Sequence, residues 1–328
     1  MIVLGVETSC DETAAAVCSN SKILSTIVSS QLIHANYGGV VPELASREHE
    51  SLLNTIVENA IKTAGISLNN IEGIAVTKGP GLAGTLLAGV CFAKGLSQGL
   101  GKPIVGINHL EAHMFANFIA DPYLAFPFVC LLVSGGHTQL WLVKALGRYE
   151  LLGTSRDDAA GEAFDKGARI LGLGYPGGPE IEQLSVDGNP EAIRFPRSFI
   201  HDNKIEFSFS GLKTSLLYFM DSYSQQSIPL KDIAASYQQA IVDVLVSKLS
   251  QAIHQTGVKT CIIAGGVAAN KSLRNAVKNS INVNRVLYPD LELCTDNAAM
   301  VAYLGELYLS KGVSDPMDFE IDPNLKLA

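Results

Sequence analysis

The sequence predicts an α/β architecture of mixed sheets flanked by helices, in two lobes that share a cleft, and three observations carry that prediction. Short apolar runs alternate with amphipathic stretches along the whole chain. One device (an apolar strand, a turn of hydroxyl or glycine residues, a second strand) occurs at VLGVETSCDETAAAV and recurs at VCLLVSGGHTQLWLV. No Pro/Ser-rich linker separates the halves. With 328 residues, 47% hydrophobic and 17% charged, the chain has the apolar mass for one large domain or two ordinary ones. That balance excludes disorder, collagen and coiled coil. No apolar run approaches the roughly 18 to 20 residues of a membrane helix. The opening MIVLGVETSCDE turns acidic without a basic segment, so no signal peptide is visible and no membrane role is expected.

The elements follow in order. Residues 2–6 form a short apolar strand, ETSCDE a polar turn and 13–17 a second strand. A helix is expected over about 45–64, where Leu52, Leu53, Ile56, Val57 and Ile61 recur at spacings of three and four. Residues 71–77 read as a strand, KGPGLAGT as a glycine-rich turn, 86–98 as a helix and 103–107 as a strand, with a helix opening near His109. The pattern restarts with strands at 128–133 and 139–143 around SGGHT. A loop-rich, glycine-rich region is expected at 153–214. A long helix then spans about 231–255, with Ile233, Tyr237, Ile241, Leu245, Leu249 and Ile253 on one stripe. A strand at 260–264, Gly265-Gly266, a helix from Asn270 and a last helix over 296–309 complete the chain.

Six cysteines (10, 18, 91, 130, 261 and 294) lie in or beside apolar segments without C-x-x-C spacing. They read as reduced, buried thiols, which places the protein in the cytoplasm. The formal charge of −8 argues against a generic nucleic-acid coat. Residues 244–289, however, hold no acid but six bases: Lys248, Lys259, Lys271, Arg274, Lys278 and Arg285. A solvated face is the ordinary meaning of such a run.

Glycines at a strand end let backbone N–H groups approach an anion, and Ser134-Gly135-Gly136 has that character. Gly265-Gly266 before the helix at Asn270 would add a helix N-terminus. Either pair can equally be a tight turn. Gly79-Pro-Gly-Leu-Ala-Gly84-Thr85 imitates a phosphate loop, but Thr85 stands where the loop's lysine belongs, and no strand–G-x-G-x-x-G–helix unit occurs. No G-x-S-x-G elbow supports a serine hydrolase.

His109-Leu-Glu-Ala-His113 is a metal candidate. Residues four apart on a helix lie about 40° apart around its axis, so both imidazoles share a face and Glu111 points away. A zinc peptidase of the H-E-x-x-H kind needs its Glu beside the first His, which this chain lacks. Two histidines do not close a site, and Asp296 in Thr295-Asp-Asn-Ala leads as the oxygen ligand; it could equally be a plain N-cap. Asp11, Glu12 and Asp165 sit on turns or loops, where carboxylates are ordinarily solvated.

Together these strings resemble the TsaD family (also called Gcp or YgjD) of tRNA threonylcarbamoyl transferases. VETSCDETAAA, TKGPGLAGTLLAGV, NHLEAH, LLVSGGHTQL, DDAAGEAFDKGARILGLGYPGGP, FSFSGLKT, AGGVAANKSLR and TDNAAMVA carry the resemblance over nearly the whole chain, in the family's order. It resembles the bacterial stand-alone form. Ala112 departs from the pattern, standing where many members have Gly, a change that a helix face tolerates.

The resemblance implies the actin-like, sugar-kinase-like ATPase (ASKHA) fold, two related lobes around a nucleotide cleft. The lobes would be 1–108, with about 297–328 packing back, and 109–296, with a family insertion near 153–214. It implies transfer of the threonylcarbamoyl group of threonylcarbamoyl-AMP to the adenosine 3′ of the anticodon, position 37, in tRNAs reading codons that begin with A, with AMP leaving. His109, His113 and Asp296 match metal ligands, the ion being iron or alternatively zinc. Leu132, Val133, Ser134, Gly135, Gly136, Asp165, Gly178 and Asn270 match the residues that hold the adenylate, and Glu182 stands near a ribose-contacting position. Asp11 or Glu12 is a candidate proton acceptor or water-positioning group. Lys78, Lys213 and the basic stretch 244–289 are candidates for docking tRNA. The implied partners are a TsaB-type paralogue and a TsaE-type ATPase, with a separate TsaC-type synthase making the adenylate. Three other readings stay open: an ATP-dependent small-molecule kinase of the same fold, which needs no His pair; a metallopeptidase, opposed by the position of Glu111; and a catalytically silent scaffold, opposed by the intact candidate triad.

Overall fold

The fold comes from a computed structural model that describes residues 1–223 and 228–327. The chain divides into two compact units, Met1–Leu124 with Pro289–Ala328, and Ala125–Tyr288. The second is one continuous segment inserted into the first.

Unit 1 is built on a five-stranded sheet ordered β3-β2-β1-β4-β5. β1 (Ile2–Glu7), β2 (Glu12–Ser19) and β3 (Lys22–Ser30) form an antiparallel meander, while β4 (Gly73–Gly79) and β5 (Ile104–Asn108) run parallel to β1. β1, β2 and β4 are almost wholly buried and so read as continuous apolar runs, as strands covered on both faces do. One face packs on α1 (Pro42–Thr63) through Leu53, Ile56, Val57, Ala60 and Ile61, and on α2 (Ala83–Leu100) through Val90 and Ala93. Proline at its first position favours the start of α1, and Gly101, in the left-handed region at φ 61°, closes α2.

The other face packs on α10 (Ala298–Leu309) at very short range. A Cβ on Gly5 would lie 2.5 Å from the Ala302 nitrogen, so the small residues of the strand and helix are what permit the approach. α3 (His109–Ala120) follows β5 directly, and α9 (Leu291–Cys294) precedes α10.

Unit 2 carries a six-stranded sheet ordered β11-β10-β6-β7-β8-β9. β6 (Phe128–Val133), β7 (Thr138–Ala145) and β8 (Arg148–Ser155) are an antiparallel meander, and β10 (Thr260–Ala264) and β11 (Arg285–Leu287) extend it parallel to β6. The two-residue β9 (Glu206–Phe207) adds to β8. Leaving out β9, both sheets have one topology: a three-strand meander whose first strand continues into two parallel strands. The recurring hairpin is therefore the first pair of strands in each sheet, and each turn has four residues, Thr8–Asp11 and Ser134–His137.

Three expectations are corrected. The region 153–214 is less loop-rich than expected, containing β8, α4 (Ala160–Ile170), α5 (Gly177–Leu184), β9 and the start of α6 (Ser210–Asp221). α4 contains two glycines, Gly161 and Gly167, placed where a Cβ would strike the Ser134 carbonyl oxygen and the Tyr237 ring; they serve close packing inside a helix. Cys91 is exposed and Cys10 half-buried, so not every thiol is buried, although all six are free. The expected boundaries at 108/109 and 296/297 differ from the observed units because α3 packs on α10 and on α9 and so lies in unit 1.

The long helix is α7 (Leu230–Thr256), ended by Gly257 at φ 68°, and α8 (Lys271–Ser280) follows β10. No described helix is long and apolar enough to cross a membrane.

Candidate metal centre and adenylate-binding edge

In unit 1 the parallel strands β1, β4 and β5 present their carboxyl ends together, the usual position of sites in open α/β sheets. Glu7 ends β1, Thr77 lies beside it near the end of β4, and Asn108 ends β5. Asn108 also caps α3, its side-chain oxygen accepting from the Leu110 and Glu111 N–H groups. This fixes the first turn of the helix and thus the position of His109.

His109 and His113 lie one turn apart, 8% and 1% exposed, with ring centroids 4.6 Å apart. Both Nε2 atoms face Asp296 Oδ1, at 3.4 Å from His109 and 3.1 Å from His113. The ligand atoms of all three residues lie within 4.8 Å of one another. The N-cap alternative for Asp296 is resolved by its neighbour: Asn297 caps α10, accepting from the Met300 N–H at 3.1 Å. Glu111 points elsewhere and accepts from the Tyr308 hydroxyl at 2.5 Å.

His109 Nδ1 lies 3.1 Å from Glu7 Oε2 and 3.2 Å from Ser9 Oγ. Glu7 is fully buried, with Oε1 accepting from the Ser9 N–H and Oε2 from the Thr77 hydroxyl, each at 2.6 Å. An ionised carboxylate only accepts, so Nδ1 carries the proton of the Glu7 bond. His109 Nε2 then directs a lone pair at another carboxylate oxygen. Two acceptors facing each other require a cation between them, either a proton or a metal ion.

Charge shifts express the same demand. Burial alone would lower the His109 pKa, but the Asp296 and Glu7 carboxylates outweigh it and raise it well above the ordinary value. Burial would raise Asp296 and Glu7, yet His109 beside each holds both down, Asp296 far below the usual carboxylate range. His113, its desolvation dominating, is lowered and stays neutral. Two histidines and a carboxylate, with a second carboxylate behind one imidazole, form a donor set that fits a divalent transition metal ion.

Asp11 and Glu12 close the β1–β2 turn in the same unit. Glu12 is pushed up to about 9, first by burial and then by the Asp296 and Asp11 charges.

In unit 2 the matching edge lies at the ends of β6 and β10. Ser134–Gly136 leave β6, and Gly265-Gly266 leave the adjoining β10, which pairs with β6 through Ala264 and Leu132. Leu132 and Val133 are fully buried strand residues, so only their backbone can serve a ligand. Gly265, at φ 88°, lies so close that a Cβ would be 2.4 Å from the Val133 carbonyl oxygen.

Gly135, Gly136, Gly178 and Gly266 behave oppositely: a Cβ on any of them would meet nothing within 4 Å. These four are the open backbone face. Asp165 Oδ1 accepts from the Gly177 N–H at 2.7 Å, fixing the start of α5 beside Gly178. Asn270 caps α8 by accepting from the Leu273 N–H at 2.9 Å and donates to Gln238. Glu182 Oε1 accepts from the Lys271 N–H at 2.8 Å.

The corresponding turn of unit 1 is filled. The Ser9 carbonyl accepts from the Leu82 N–H at 2.9 Å and the Thr85 hydroxyl at 3.1 Å. Of the two hairpins, the one in unit 2 therefore offers an open glycine edge.

Among the basic candidates, Lys248 is excluded from any docking surface. It is fully buried and donates to the Asp202 and Lys204 carbonyls and to Gln251. Lys78 pairs with Asp315 at 3.5 Å, and Lys213 lies 3.8 Å from Asp158. Glu7, Ser9 and Thr77 were absent from the sequence-based site. The available signal was a glutamate ending an otherwise apolar buried strand.

The chain matches the family model described as "TsaD: tRNA N6-adenosine threonylcarbamoyltransferase" over residues 22–303. It is 53% identical over 330 residues to the tRNA N6-adenosine threonylcarbamoyltransferase of Thermosipho africanus, covering 100% of both chains. It is 50% identical to the enzyme of the same description from Geotalea uraniireducens, covering 98% of this chain and 96% of that one. Among solved structures, component A of the (R)-2-hydroxyglutaryl-CoA dehydratase of Acidaminococcus fermentans aligns with a TM-score of 0.58 at 13% identity, over 94% of this chain and 99% of that one. HypF of T. kodakarensis aligns with a TM-score of 0.61 at 16% identity, over 94% of this chain and 48% of that one. These likenesses identify the fold as the ASKHA fold expected from the sequence. The chain belongs to the TsaD family, and its activity is the transfer of a threonylcarbamoyl group to N6 of adenosine in tRNA.

Proposed function

We propose that the donor is threonylcarbamoyl-AMP and the acceptor the adenosine 3′ of the anticodon, position 37, in tRNAs reading codons that begin with A. The N6 nitrogen attacks the carbamoyl carbon, the N6–C bond forms, the bond from that carbon to the phosphate oxygen breaks, and AMP leaves with the bonding pair. An amine conjugated to a purine is a poor nucleophile, so electrophile polarisation and the leaving group supply the drive.

The open glycines Gly135, Gly136 and Gly178, with Ser134, are read as the phosphate and ribose contacts. Asp165, Glu182 and Asn270 brace that edge through the hydrogen bonds described above. Leu132 and Val133 contribute its backbone. His109, His113 and Asp296 are read as ligands of one divalent ion, iron first and zinc second. Such an ion would orient and polarise a carbonyl or carboxylate oxygen. Asp11 or Glu12, at the end of the β1–β2 turn, is read as the proton acceptor or water-positioning group.

A TsaB-type paralogue and a TsaE-type ATPase are the proposed partners, and the cytoplasm the proposed compartment. Within 244–289, Lys259, Lys271, Arg274, Lys278 and Arg285 remain the basic positions for tRNA once Lys248 is removed. The observation that carries the metal-dependent reading is the convergence of two imidazole Nε2 atoms on one Asp296 oxygen.

The test is incubation of the protein with threonylcarbamoyl-AMP and unmodified tRNA, with and without the two partners, followed by mass spectrometry of the nucleosides. Threonylcarbamoyladenosine should form with wild type and be lost in His109→Ala/His113→Ala. No threonylcarbamoyladenosine at position 37 from this donor under any combination would overturn this reading of donor and acceptor, and full product from His109→Ala/His113→Ala would overturn the metal-dependent reading.

A further inference from the structure

We propose that Glu7 is a positioning residue for the metal centre: by accepting from His109 Nδ1–H it holds the imidazole in the tautomer whose Nε2 is free to ligate. The proposal rests on reading His109, His113 and Asp296 as the metal ligands.

The two histidines are held differently. His113 Nδ1 has no hydrogen-bond partner among the described residues. That ring is placed by burial and by its helix. His109 Nδ1 faces a carboxylate that is itself fixed from two other sides, by the Ser9 N–H and the Thr77 hydroxyl. Outer carboxylates behind ligating imidazoles orient the ring and raise its basicity. Glu7 reaches this position because it ends β1, with Thr77 of β4 beside it and β5 leading directly into His109. A carboxylate fully removed from water, engaged by three donors, is costly unless all of its bonds are made.

Glu7→Gln tests the tautomer without changing shape. The Ser9 backbone N–H can only donate, so it selects the oxygen of the introduced amide for the Oε1 position. The amide NH2 then occupies the Oε2 position. Thr77 can rotate its hydroxyl to accept, but the amide N–H facing His109 Nδ1 calls for an acceptor there and favours moving the proton to Nε2. Among the described residues, the Ser9 hydroxyl at 3.2 Å is the one other group in reach to take the Nδ1 proton. A protonated Nε2 cannot bind a metal.

Metal-free wild type, Glu7→Gln, Thr77→Val and His113→Ala should each be titrated with Co2+, following the visible d–d bands, alongside the melting temperature of each metal-free protein. Wild type should bind and His113→Ala should not. Failure of wild type to bind defeats the metal-site reading itself. Glu7→Gln should bind about 10- to 100-fold more weakly with altered bands, while Thr77→Val, which keeps the carboxylate, should change affinity less than about threefold. Equal affinity and bands in Glu7→Gln would overturn the proposal. A readout free of any variant is the two-bond 1H–15N pattern of 15N-histidine in the Zn2+-loaded wild type. It should show His109 protonated at Nδ1 and ligated at Nε2; the reverse pattern overturns the proposal even if Glu7→Gln fails to fold.

Discussion

Neighbouring residues with opposite duties mark the metal centre. Asp296 and Asn297 adjoin in sequence, and either could cap the last helix; the structure gives the cap to Asn297 and leaves Asp296 facing the histidines. The two substitutions should therefore separate. Asn297→Ala removes an N-cap and should cost about 1 kcal/mol of unfolding free energy, measured in urea, while Co2+ binding persists. Asp296→Asn should abolish or strongly weaken Co2+ binding with much less effect on the metal-free protein's stability. Equal effects of both on stability and metal would refute the division. His49 provides the pH dependence. It is fully buried, with Nδ1 at the Thr13 hydroxyl and Nε2 at the Cys10 carbonyl. Burial lowers its pKa, against the Cys10 carbonyl and the Glu7 and Asp11 charges, which raise it. The unfolded chain therefore binds a proton that the folded chain refuses. The resulting stability is complete above about pH 6.5 and is lost as pH falls toward the folded value. His49→Gln should flatten that part of the stability–pH curve, and an unchanged slope would show that other groups set it. The histidine pair was legible because its spacing is a helical repeat. Glu7 was not, because its partners Ser9, Thr77 and His109 come from separate segments that only strand pairing brings together.

Glycine placement separates packing from ligand contact in the elements of unit 2. Gly265 has positive φ and lies against the Val133 carbonyl, whereas Gly266 and Gly135 border open space. Gly265→Ala combines backbone strain with a clash and should destabilise the protein by about 1–3 kcal/mol or more. Gly266→Ala and Gly135→Ala should leave stability within about 0.5 kcal/mol but place a methyl on the proposed adenylate edge and weaken AMP binding, as read by calorimetry. AMP affinity unchanged in both variants would remove the loops after β6 and β10 from the site. The repeated hairpin was visible in the sequence because strand alternation and turn composition are local. The helices within 153–214 were not, because α4 carries Gly161 and Gly167 as packing contacts with Ser134 and Tyr237. Glycine weakens local helix propensity by roughly 1 kcal/mol per site, and only the tertiary contact explains why it is kept.

Insertion of one unit into the other gives metal binding a location in the chain. The candidate ligands lie at 109, 113 and 296, on the two flanks of the segment Ala125–Tyr288 but all within the first unit. An ion bound there closes a loop through the entire inserted unit while all three of its candidate ligands belong to unit 1. Binding to the folded state alone stabilises it by about 2.7 kcal/mol at a hundredfold excess over Kd, and local openings that break the ligand set are opposed by the same amount. Hydrogen exchange with and without Zn2+ should therefore show increased protection at the end of β1, in α3 and in the segment leading into α10. The meander β6–β8, together with β10, should keep its exchange rates, because its local openings leave all three ligands in place. A uniform gain over both sheets would mean that the two units open as one cooperative body, and the metal would then act on the stability of the whole chain.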